Sequence, residues 1–170
     1  MKNISFRNDV LPLKNELYRL ALRITLSPVE AEDIVQETLI KVWNRRESWS
    51  QIDSIEAFSL KICRNLALDI LKRKDRQNLS IEQGDNNEPA APSNPQEKTI
   101  QKDRIQLVRK LIDSLPEKQR SCIQLRDFEG KSYKEVAQAL DISEEQVKVN
   151  IFRARQAIKQ KYQKIEEYGL

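Results

Sequence analysis

Apolar residues recur every three or four positions along most of the chain, a spacing that is typical of amphipathic helices rather than strands. In the N-terminal part this pattern predicts helices over residues 11–25, 28–46 and 55–76. Pro28 fits the first turn of the second helix, because the N–H that proline lacks has no partner there. No single helix can bury its own apolar stripe, so the three are predicted to form one small domain over residues 1–76.

The same spacing predicts which side chains form the core of this domain. Taken helix by helix, the predicted inner positions are Val10, Leu13, Leu17, Leu20, Ala21 and Ile24; Ile34, Val35, Thr38, Leu39, Val42 and Trp43; and Phe58, Ile62, Leu66 and Ile70. Trp49 lies in the polar connection over residues 47–54 and is predicted to be exposed. The third helix is expected to end in a basic cluster that includes Lys72 and Arg73.

The composition changes between residues 77 and 101. Gly84 and three prolines occur there among asparagine and serine, hydrophobic residues nearly vanish, and the charges are mainly acidic. Such a composition indicates a flexible linker, and therefore a domain boundary. The alternative, a long surface loop inside one domain, is disfavoured by the length of the segment.

The C-terminal part, residues 102–170, carries the spacing of four further helices. The first is stopped by Pro116, which cannot continue a helix, and the second covers residues 117–128 and ends at Gly130. The predicted inner positions of the first are Ile105, Val108, Leu111, Ile112 and Leu115.

Capping residues mark the last two helices. Ser132 and Glu135 have the spacing of a capping box at the start of a short helix. Asp141 can adopt the left-handed conformation that the following turn requires, and Ser143 caps the last helix. A short helix, a tight turn and a second capped helix describe a helix-turn-helix. The predicted fold class is all-α, with an N-terminal helical bundle and a four-helix helix-turn-helix domain joined by the linker.

The last helix has two contrasting faces. Its predicted inner face carries Val147, Ile151, Ala154 and Ile158. On its outer face and flank, Val149 and Phe152 lie beside Lys148, Arg153 and Arg155. A solvated face does not need apolar side chains, whereas a face in a DNA groove uses methyl groups and rings against thymine and arginine against guanine or phosphate. The alternative is that Val149 and Phe152 pack on a neighbouring helix.

Composition narrows the classes of function. The net charge is +4, which is compatible with a nucleic-acid partner. Histidine is absent, and the two cysteines, Cys63 and Cys122, cannot complete a structural zinc site; both are predicted to be buried, reduced thiols. No catalytic site, metal, cofactor or small-molecule substrate is therefore expected. No apolar run approaches 18 residues and the N-terminus lacks a signal-peptide core, so a cytoplasmic location is expected.

Several segments resemble one known family. In the C-terminal part these are LPEKQR at 115–120, RDFEGKSY at 126–133, EVA at 135–137, and residues 147–155. In the N-terminal part they are AEDIVQE at 31–37, KVW at 41–43 and CRNLALDILKR at 63–73. Together they are similar to the extracytoplasmic-function (ECF) sigma factors, the small promoter-recognition subunits of bacterial RNA polymerase. The resemblance covers nearly the whole chain except the linker.

The resemblance implies partners and places them on particular residues. Asp33, Gln36 and Glu37 match positions that dock on the beta-prime clamp helices of core polymerase. The beta subunit of the polymerase is a second expected partner. A solvated acidic face is the alternative for these three. An anti-sigma factor is a further expected partner. The linker would run through the polymerase between the two domains.

Promoter contacts are implied on both domains. Asn65, with the loop from Trp49 to Ser54, matches the pocket for a flipped base of the −10 element, and Lys61, Arg64, Lys72 and Arg73 would meet phosphates. The alternative for Trp49 is that it covers the core of the N-terminal domain. The alternative for the four cations is that they form a solvated helix face. Lys148, Val149, Phe152 and Arg153 match positions that read the −35 duplex. The N-terminus of the preceding helix, at Ser132, Tyr133 and Lys134, is placed to hold a phosphate.

Departures from the family pattern concern promoter choice more than fold. Asp141 stands where the family usually has glycine, and Val149 and Asn150 replace a common serine and a common basic residue. Three rival functions remain open: a stand-alone helix-turn-helix regulator, a helical adaptor that grips a protein through Val149 and Phe152, and an enzyme for which no candidate site exists.

Overall fold

The computed structural model describes residues 3–78 and 100–168, and all the regular elements in those two ranges are helical. The predicted linker, residues 77–101, lies mostly outside them. At its two ends the flanking helices reach further than predicted, to Asn78 on one side and from Ile100 on the other. The all-α prediction is confirmed.

The N-terminal part contains three α-helices and three short turns of other helical types. The α-helices are α1 (Lys14–Thr25), α2 (Pro28–Asn44) and α3 (Ile55–Asn78), and the turns are a π-helical turn (Phe6–Val10) and two 3-10 turns (Leu11–Leu13 and Arg46–Gln51). Ser27 caps α2, since its hydroxyl accepts a hydrogen bond from the Glu30 N–H, and Pro28 occupies the first helical position as predicted.

The two tryptophans have exchanged their predicted environments. Trp43, expected inside, is 45% exposed, whereas Trp49, expected outside, is 7% exposed. The 3-10 turn Arg46–Gln51 folds Trp49 back over the end of α2, where its Nε1–H donates to the Val42 carbonyl at 3.0 Å. Trp43 then lies at the rim, edge-on to Phe6 at 5.4 Å.

The buried face of α3 also differs from the predicted stripe. The fully buried residues of this helix are Ser59, Leu60, Cys63 and Ala67. The predicted stripe of Phe58, Ile62, Leu66 and Ile70 is only partly buried. The physical reason is that α3 is covered on two sides, by α1 and α2 and by a helix of the C-terminal part.

Four α-helices form the C-terminal part. They are α4 (Ile100–Asp113), α5 (Glu117–Ile123), α6 (Tyr133–Leu140) and α7 (Glu144–Tyr168), with a π-helical turn (Gln124–Phe128) after α5. The predicted helix over residues 117–128 is thus two segments of different winding. Ile105, predicted inside, is 54% exposed, while Leu111, Ile112 and Leu115 are buried as predicted.

The two parts pack against each other rather than standing apart. α3 lies along α6, and α1 lies against α5 and the π-helical turn that follows it. One continuous apolar cluster contains Leu60 and Ala67 of α3 together with Ala139 and Leu140 of α6. The last carbonyls of α1 are bound from the other part, because the Arg120 guanidinium donates to the Arg23 and Ile24 carbonyls at 3.1 and 3.0 Å.

Candidate nucleic-acid interface

Local hydrogen bonds begin the helix-turn-helix. Gly130 follows the π-helical turn and has a φ of 72°, in the left-handed region of backbone conformation. Glycine adopts this conformation at little cost because it has no Cβ. The Ser132 hydroxyl accepts from the Glu135 N–H at 3.1 Å, and the Glu135 carboxylate accepts from the Ser132 N–H at 3.3 Å. The predicted capping box is therefore confirmed. The hydrogen bond from Ser132 lowers the pKa of the Glu135 carboxyl.

The turn between α6 and α7 has the predicted geometry. Asp141 ends α6 in the left-handed conformation, at φ 57° and ψ 47°. Ser143 caps α7, since its hydroxyl accepts from the Gln146 N–H at 3.1 Å and its own N–H donates to the Gln146 side chain. Val136, Ala137 and Val147 are buried where the two helices meet.

The predicted reading face of α7 is exposed. Val147, Ile151 and Ala154 are buried as predicted, so the face opposite them points to solvent. Phe152 is 61% exposed and Val149 is 43% exposed, which rules out for this arrangement the alternative that they pack on a neighbouring helix. Lys148 and Arg153 are exposed on the same face.

Two cations lie close to the Tyr133 ring beside this face. The Arg126 guanidinium carbon lies 4.4 Å from the centre of the Tyr133 ring, and the Lys148 Nζ lies 5.4 Å from it. Both distances allow a cation–π attraction, so Tyr133 helps to hold Lys148 near the start of α7. Sequence reasoning did not select Arg126, because its position follows no helical stripe. Its only signal was its place in the motif at 126–133.

Arg155 is engaged within the C-terminal part. Its Nε donates to an Asp127 carboxylate oxygen at 3.2 Å, and its Nη2 donates to the other oxygen. This hydrogen bonding raises the pKa of Arg155. Arg155 follows Phe152 by three positions, so the two residues are neighbours on the surface of α7, but the guanidinium is held by Asp127. A DNA contact by Arg155 would have to compete with Asp127.

The loop predicted to hold a −10 base is folded inward. Trp49 covers a small apolar cluster with Val10 and Val42, which is the covering position that the sequence left open as an alternative. Ser54 caps α3, because its hydroxyl accepts from the Ala57 N–H at 3.1 Å. Stacking of a base on Trp49 would require the indole to leave this position.

The polar residues of α3 fall into two groups. Asn65, Lys72 and Arg73 are exposed. Lys61 and Arg64, by contrast, face the C-terminal part. Arg64 is the more enclosed, with its side chain 12% exposed and an ion pair to Glu117 at 3.0 Å.

The predicted polymerase-binding residues share the exposed side of α2. Asp33, Gln36 and Glu37 are all exposed, and among residues 3–78 and 100–168 only Glu37 has a nearby cation, Lys41, at 4.0 Å. A groove of about 350 Å³ opens beside them between α1 and α2. Its lining includes Tyr18, Val35, Gln36 and Leu39. The surface thus offers carboxylates next to a partly apolar depression.

Both cysteines are inert, and the described part of the chain contains no metal-binding cluster. Cys63 and Cys122 are buried and unpaired with each other, as predicted. Burial raises the pKa of both thiols to about 12, which keeps them protonated and unreactive. Within residues 3–78 and 100–168, no group of cysteine, aspartate and glutamate side chains could hold a metal ion.

Comparison with known proteins gives a family for each part of the chain. Residues 10–77 match the family model of sigma-70 region 2, and residues 105–158 match that of sigma-70 region 4. The ECF RNA polymerase sigma-E factor of Escherichia coli is 32% identical over an alignment of 142 residues that covers 79% of this chain and 74% of that protein. The chain belongs to the ECF RNA polymerase sigma factors. The resemblance read from the motifs is therefore confirmed.

Other members of the ECF sigma factors differ in length. The factor SigE of Mycolicibacterium smegmatis is 31% identical over 147 residues, which cover 85% of this chain but only 56% of that protein. The chain thus spans little more than half of that relative. Among the residues described, no helix is long and apolar enough to cross a membrane.

Two solved structures share the fold. One is RpoE in complex with the anti-sigma factor NepR from Bartonella quintana, with a TM-score of 0.74, 24% identity and coverage of 91% of this chain and 94% of that one. The other is CnrH in complex with the cytosolic domain of CnrY, with a TM-score of 0.67, 18% identity and coverage of 93% and 87%.

Proposed function

We propose that this ECF sigma factor binds core RNA polymerase, reads the −35 element as a duplex and holds the melted −10 strand, and so directs transcription initiation. The observation that carries this proposal is the exposed mixed face of α7 on a helix-turn-helix, in a chain whose other half matches region 2 of the same family. The chain would perform no chemistry itself and would act in the cytoplasm, where the polymerase is.

The −35 contacts are assigned to α7. Lys148 and Arg153 supply donors for guanine edges or phosphates, while Val149 and Phe152 supply apolar surface for thymine methyl groups. The capped start of α6, at Ser132, lies beside this face and can take a phosphate of the same duplex through its N–H groups. Arg155 is assigned to a flanking contact, made when it leaves Asp127.

The −10 contacts are assigned to α3 and the loop before it. Asn65, Lys72 and Arg73 are free to meet a single strand, and Lys61 and Arg64 would join them once released from the C-terminal part. A base taken out of its stack costs a few kcal/mol and needs a pocket that restacks it. Trp49 and Ser54 would line that pocket after the 3-10 turn opens.

The polymerase contact is assigned to α2. Asp33, Gln36 and Glu37 project from one exposed side of the helix beside the groove at Tyr18. We propose that this side of α2 contacts the beta-prime clamp helices and that the C-terminal domain contacts the beta subunit. The proposed domains are residues 1–76 for core and −10 binding, 77–101 as linker, and 102–170 for the −35 element. The family models, at 10–77 and 105–158, support these bounds.

An anti-sigma factor is proposed as the regulator. One solved structure of this fold is the sigma factor RpoE in complex with the anti-sigma factor NepR, and another is CnrH in complex with the cytosolic domain of CnrY. A cavity of about 600 Å³ lies between the two parts of this chain, and Leu26 and Phe128 border it with exposed apolar side chains that an anti-sigma factor could contact.

Association with core polymerase tests the α2 assignment. Purified core enzyme and fluorescently labelled chain should co-elute in size-exclusion chromatography, and the double variant Asp33→Ala, Gln36→Ala should bind at least about tenfold more weakly. The matched control is Glu166→Ala with Gln163→Ala on the last turns of α7. Equal binding by both variants would show that α2 does not dock on the polymerase. Duplex binding with no affinity for core enzyme would favour the stand-alone regulator.

A further inference from the structure

The two tryptophans of the chain differ in how easily a ligand can reach them. Trp49 is 7% exposed, and its Nε1–H is occupied by the Val42 carbonyl. Trp43, at the end of α2, is 45% exposed. A large aromatic side chain normally stabilises a protein by burying most of its surface, which Trp43 does not do. Trp43 is therefore the indole that a ligand can contact without any change in the fold.

Neighbouring side chains hold the Trp43 indole in one orientation. The Phe6 ring lies 5.4 Å from it at 78°, and the Trp49 ring lies 6.2 Å from it at 70°, both in the edge-to-face arrangement that aromatic pairs prefer. The π-helical turn that carries Phe6 is itself fixed, since the Ser5 N–H donates to the Asp9 carboxylate at 2.7 Å. The exposed ring is thus ordered before a ligand arrives, which lowers the entropic cost of binding.

Arg46 is a weak cover for this ring. Its guanidinium carbon lies 4.6 Å from the centre of the Trp43 ring, and its Nη1 donates to the Trp43 carbonyl at 3.3 Å. Arg46 is exposed. A cation–π contact at an exposed site contributes less than the stacking of a nucleobase on the same kind of ring. An unpaired base can therefore replace the guanidinium on the indole, and the released guanidinium can pair with a phosphate of the same strand.

Charge along α2 favours a nucleic acid at this end of the helix. The exposed residues proposed to dock on polymerase, Asp33 and Glu37, are acidic. Beyond Trp43 the exposed side chains of Arg45 and Arg46 follow, and Glu47 offsets one of these charges. A basic partner that suits the carboxylates would be repelled by the two arginines, whereas the phosphates of a nucleic acid would be attracted to them.

We propose that the Trp43 patch, formed by Phe6, Trp43 and Arg46, is a binding site for one unpaired base of single-stranded DNA. The base stacks on the indole, and Arg46 pairs with the adjoining phosphate. The centres of the Trp43 and Trp49 rings are 6.2 Å apart, so the patch adjoins the loop proposed to hold the −10 base and takes a neighbouring nucleotide. The identity of that strand rests on the proposed function, whereas the stacking itself requires no polymerase.

Variants with a single indole show where a base stacks, because the chain has two tryptophans. The full wild-type chain, Trp49→Phe and Trp43→Phe are each titrated with random-sequence single-stranded 12-mers while indole fluorescence is followed. A base that stacks on an indole quenches its emission. We expect quenching of the wild type and of Trp49→Phe, in which Trp43 is the one indole left, and no quenching of Trp43→Phe. A 12-mer of abasic sites, which carries phosphates but no bases, should quench none of them.

Affinity and its salt dependence test the ring and the cation separately. Trp43→Leu removes the ring but keeps an apolar side chain, and it should bind the same 12-mers roughly tenfold more weakly in fluorescence anisotropy. The matched control is Ile40→Ala on the same helix, at a position that is 59% exposed, and it should bind as the wild type does. Arg46→Gln should reduce the slope of log affinity against log salt by about 0.7, whereas Lys164→Gln, on an exposed part of α7, should not change it.

Several results would overturn the Trp43 patch and leave the other assignments standing. These are quenching that persists in Trp43→Phe, equal affinity of Trp43→Leu and the wild type, and no binding of single strands by the wild type. Helicity by circular dichroism is measured for every variant; if Trp49→Phe loses helicity, the comparison of the wild type with Trp43→Phe decides the same question.

Two further results separate the patch from the proposed function. If Trp43→Leu binds single strands normally but co-elutes less with core polymerase, Trp43 belongs to the polymerase surface and the patch is overturned. If the wild type stacks a base on Trp43 but has no affinity for core polymerase, the patch stands and the proposed function fails. Loss of quenching in Trp43→Phe together with loss of affinity in Trp43→Leu, at unchanged polymerase binding, supports the patch.

Discussion

Replacing Phe152 with alanine removes the largest apolar group of the α7 reading face. A phenylalanine side chain offers about 150–250 Å² of surface, and Phe152 is 61% exposed, so about 120 Å² remains to be buried by a partner. At about 25 cal/mol per Å² this sets a ceiling near 3 kcal/mol. A DNA groove would cover only one side of the Phe152 ring, so the expected loss of binding free energy is about 1.5 kcal/mol, or roughly tenfold in affinity.

The assay is fluorescence anisotropy on duplexes selected from a randomised library by the wild-type chain. Thermal unfolding is measured in parallel, because an exposed side chain removed from the surface should change the free energy of unfolding by no more than about 0.5 kcal/mol. Tyr168→Ala is the matched control, since Tyr168 is an aromatic residue at the far end of the same helix and 71% exposed. The reasoning is refuted if Phe152→Ala binds as tightly as Tyr168→Ala, or if it lowers stability instead of binding.

Other predictions concern the same surface and the folded core. Arg153→Ala should cost about 1–3 kcal/mol in duplex binding and relax sequence preference at one position, measured by the same anisotropy assay; an unchanged preference removes Arg153 from the reading set. Ser132→Ala should cost about 1 kcal/mol of stability in urea unfolding, and an unchanged midpoint contradicts the cap. Because the folded pKa of Glu135 is lowered, its stabilisation is complete above its unfolded pKa and is lost as pH falls through the folded value. The difference between wild type and Ser132→Ala should therefore shrink in acid. Leu20→Ala, at a fully buried position, should cost about 2–5 kcal/mol; a loss below 1 kcal/mol would place Leu20 outside a packed core.

The parts of the structure predicted correctly from sequence depend on neighbours in the chain. The capping box at Ser132 and the left-handed turn at Asp141 involve groups only a few residues apart, so residue type and spacing were enough to place them. The buried face of α7 followed from helical periodicity in the same way. These local features were also the ones that defined the helix-turn-helix.

The errors came from contacts between distant residues. Periodicity put Trp43 inside because it continues the stripe of α2, but the following 3-10 turn brings Trp49 over that position. The face of α3 was misjudged because α6 covers its second side, through contacts such as that between Arg64 and Leu140, which lie 76 residues apart. No spacing within α3 could show that a second helix would lie there.

The candidate site residues also divide into those set by the local pattern and those set by contacts between distant residues. Phe152 and Val149 lie on the polar side of α7, opposite its buried face, so helical periodicity was enough to predict that they are exposed. The pairing of Arg155 with Asp127, and of Arg64 with Glu117, required the folded chain. Sequence alone could propose these arginines for DNA but could not show that each already holds a carboxylate.

Transcription with purified components tests the central claim most directly. Core RNA polymerase and fragmented genomic DNA from the bacterium that encodes this chain are incubated with and without the protein, and the 5′ ends of the transcripts are mapped. We predict a set of start sites that requires the protein and shares two sequence motifs upstream, at −35 and −10. Transcripts that are the same with and without the protein, despite its binding to duplex DNA, would contradict a role as a sigma factor.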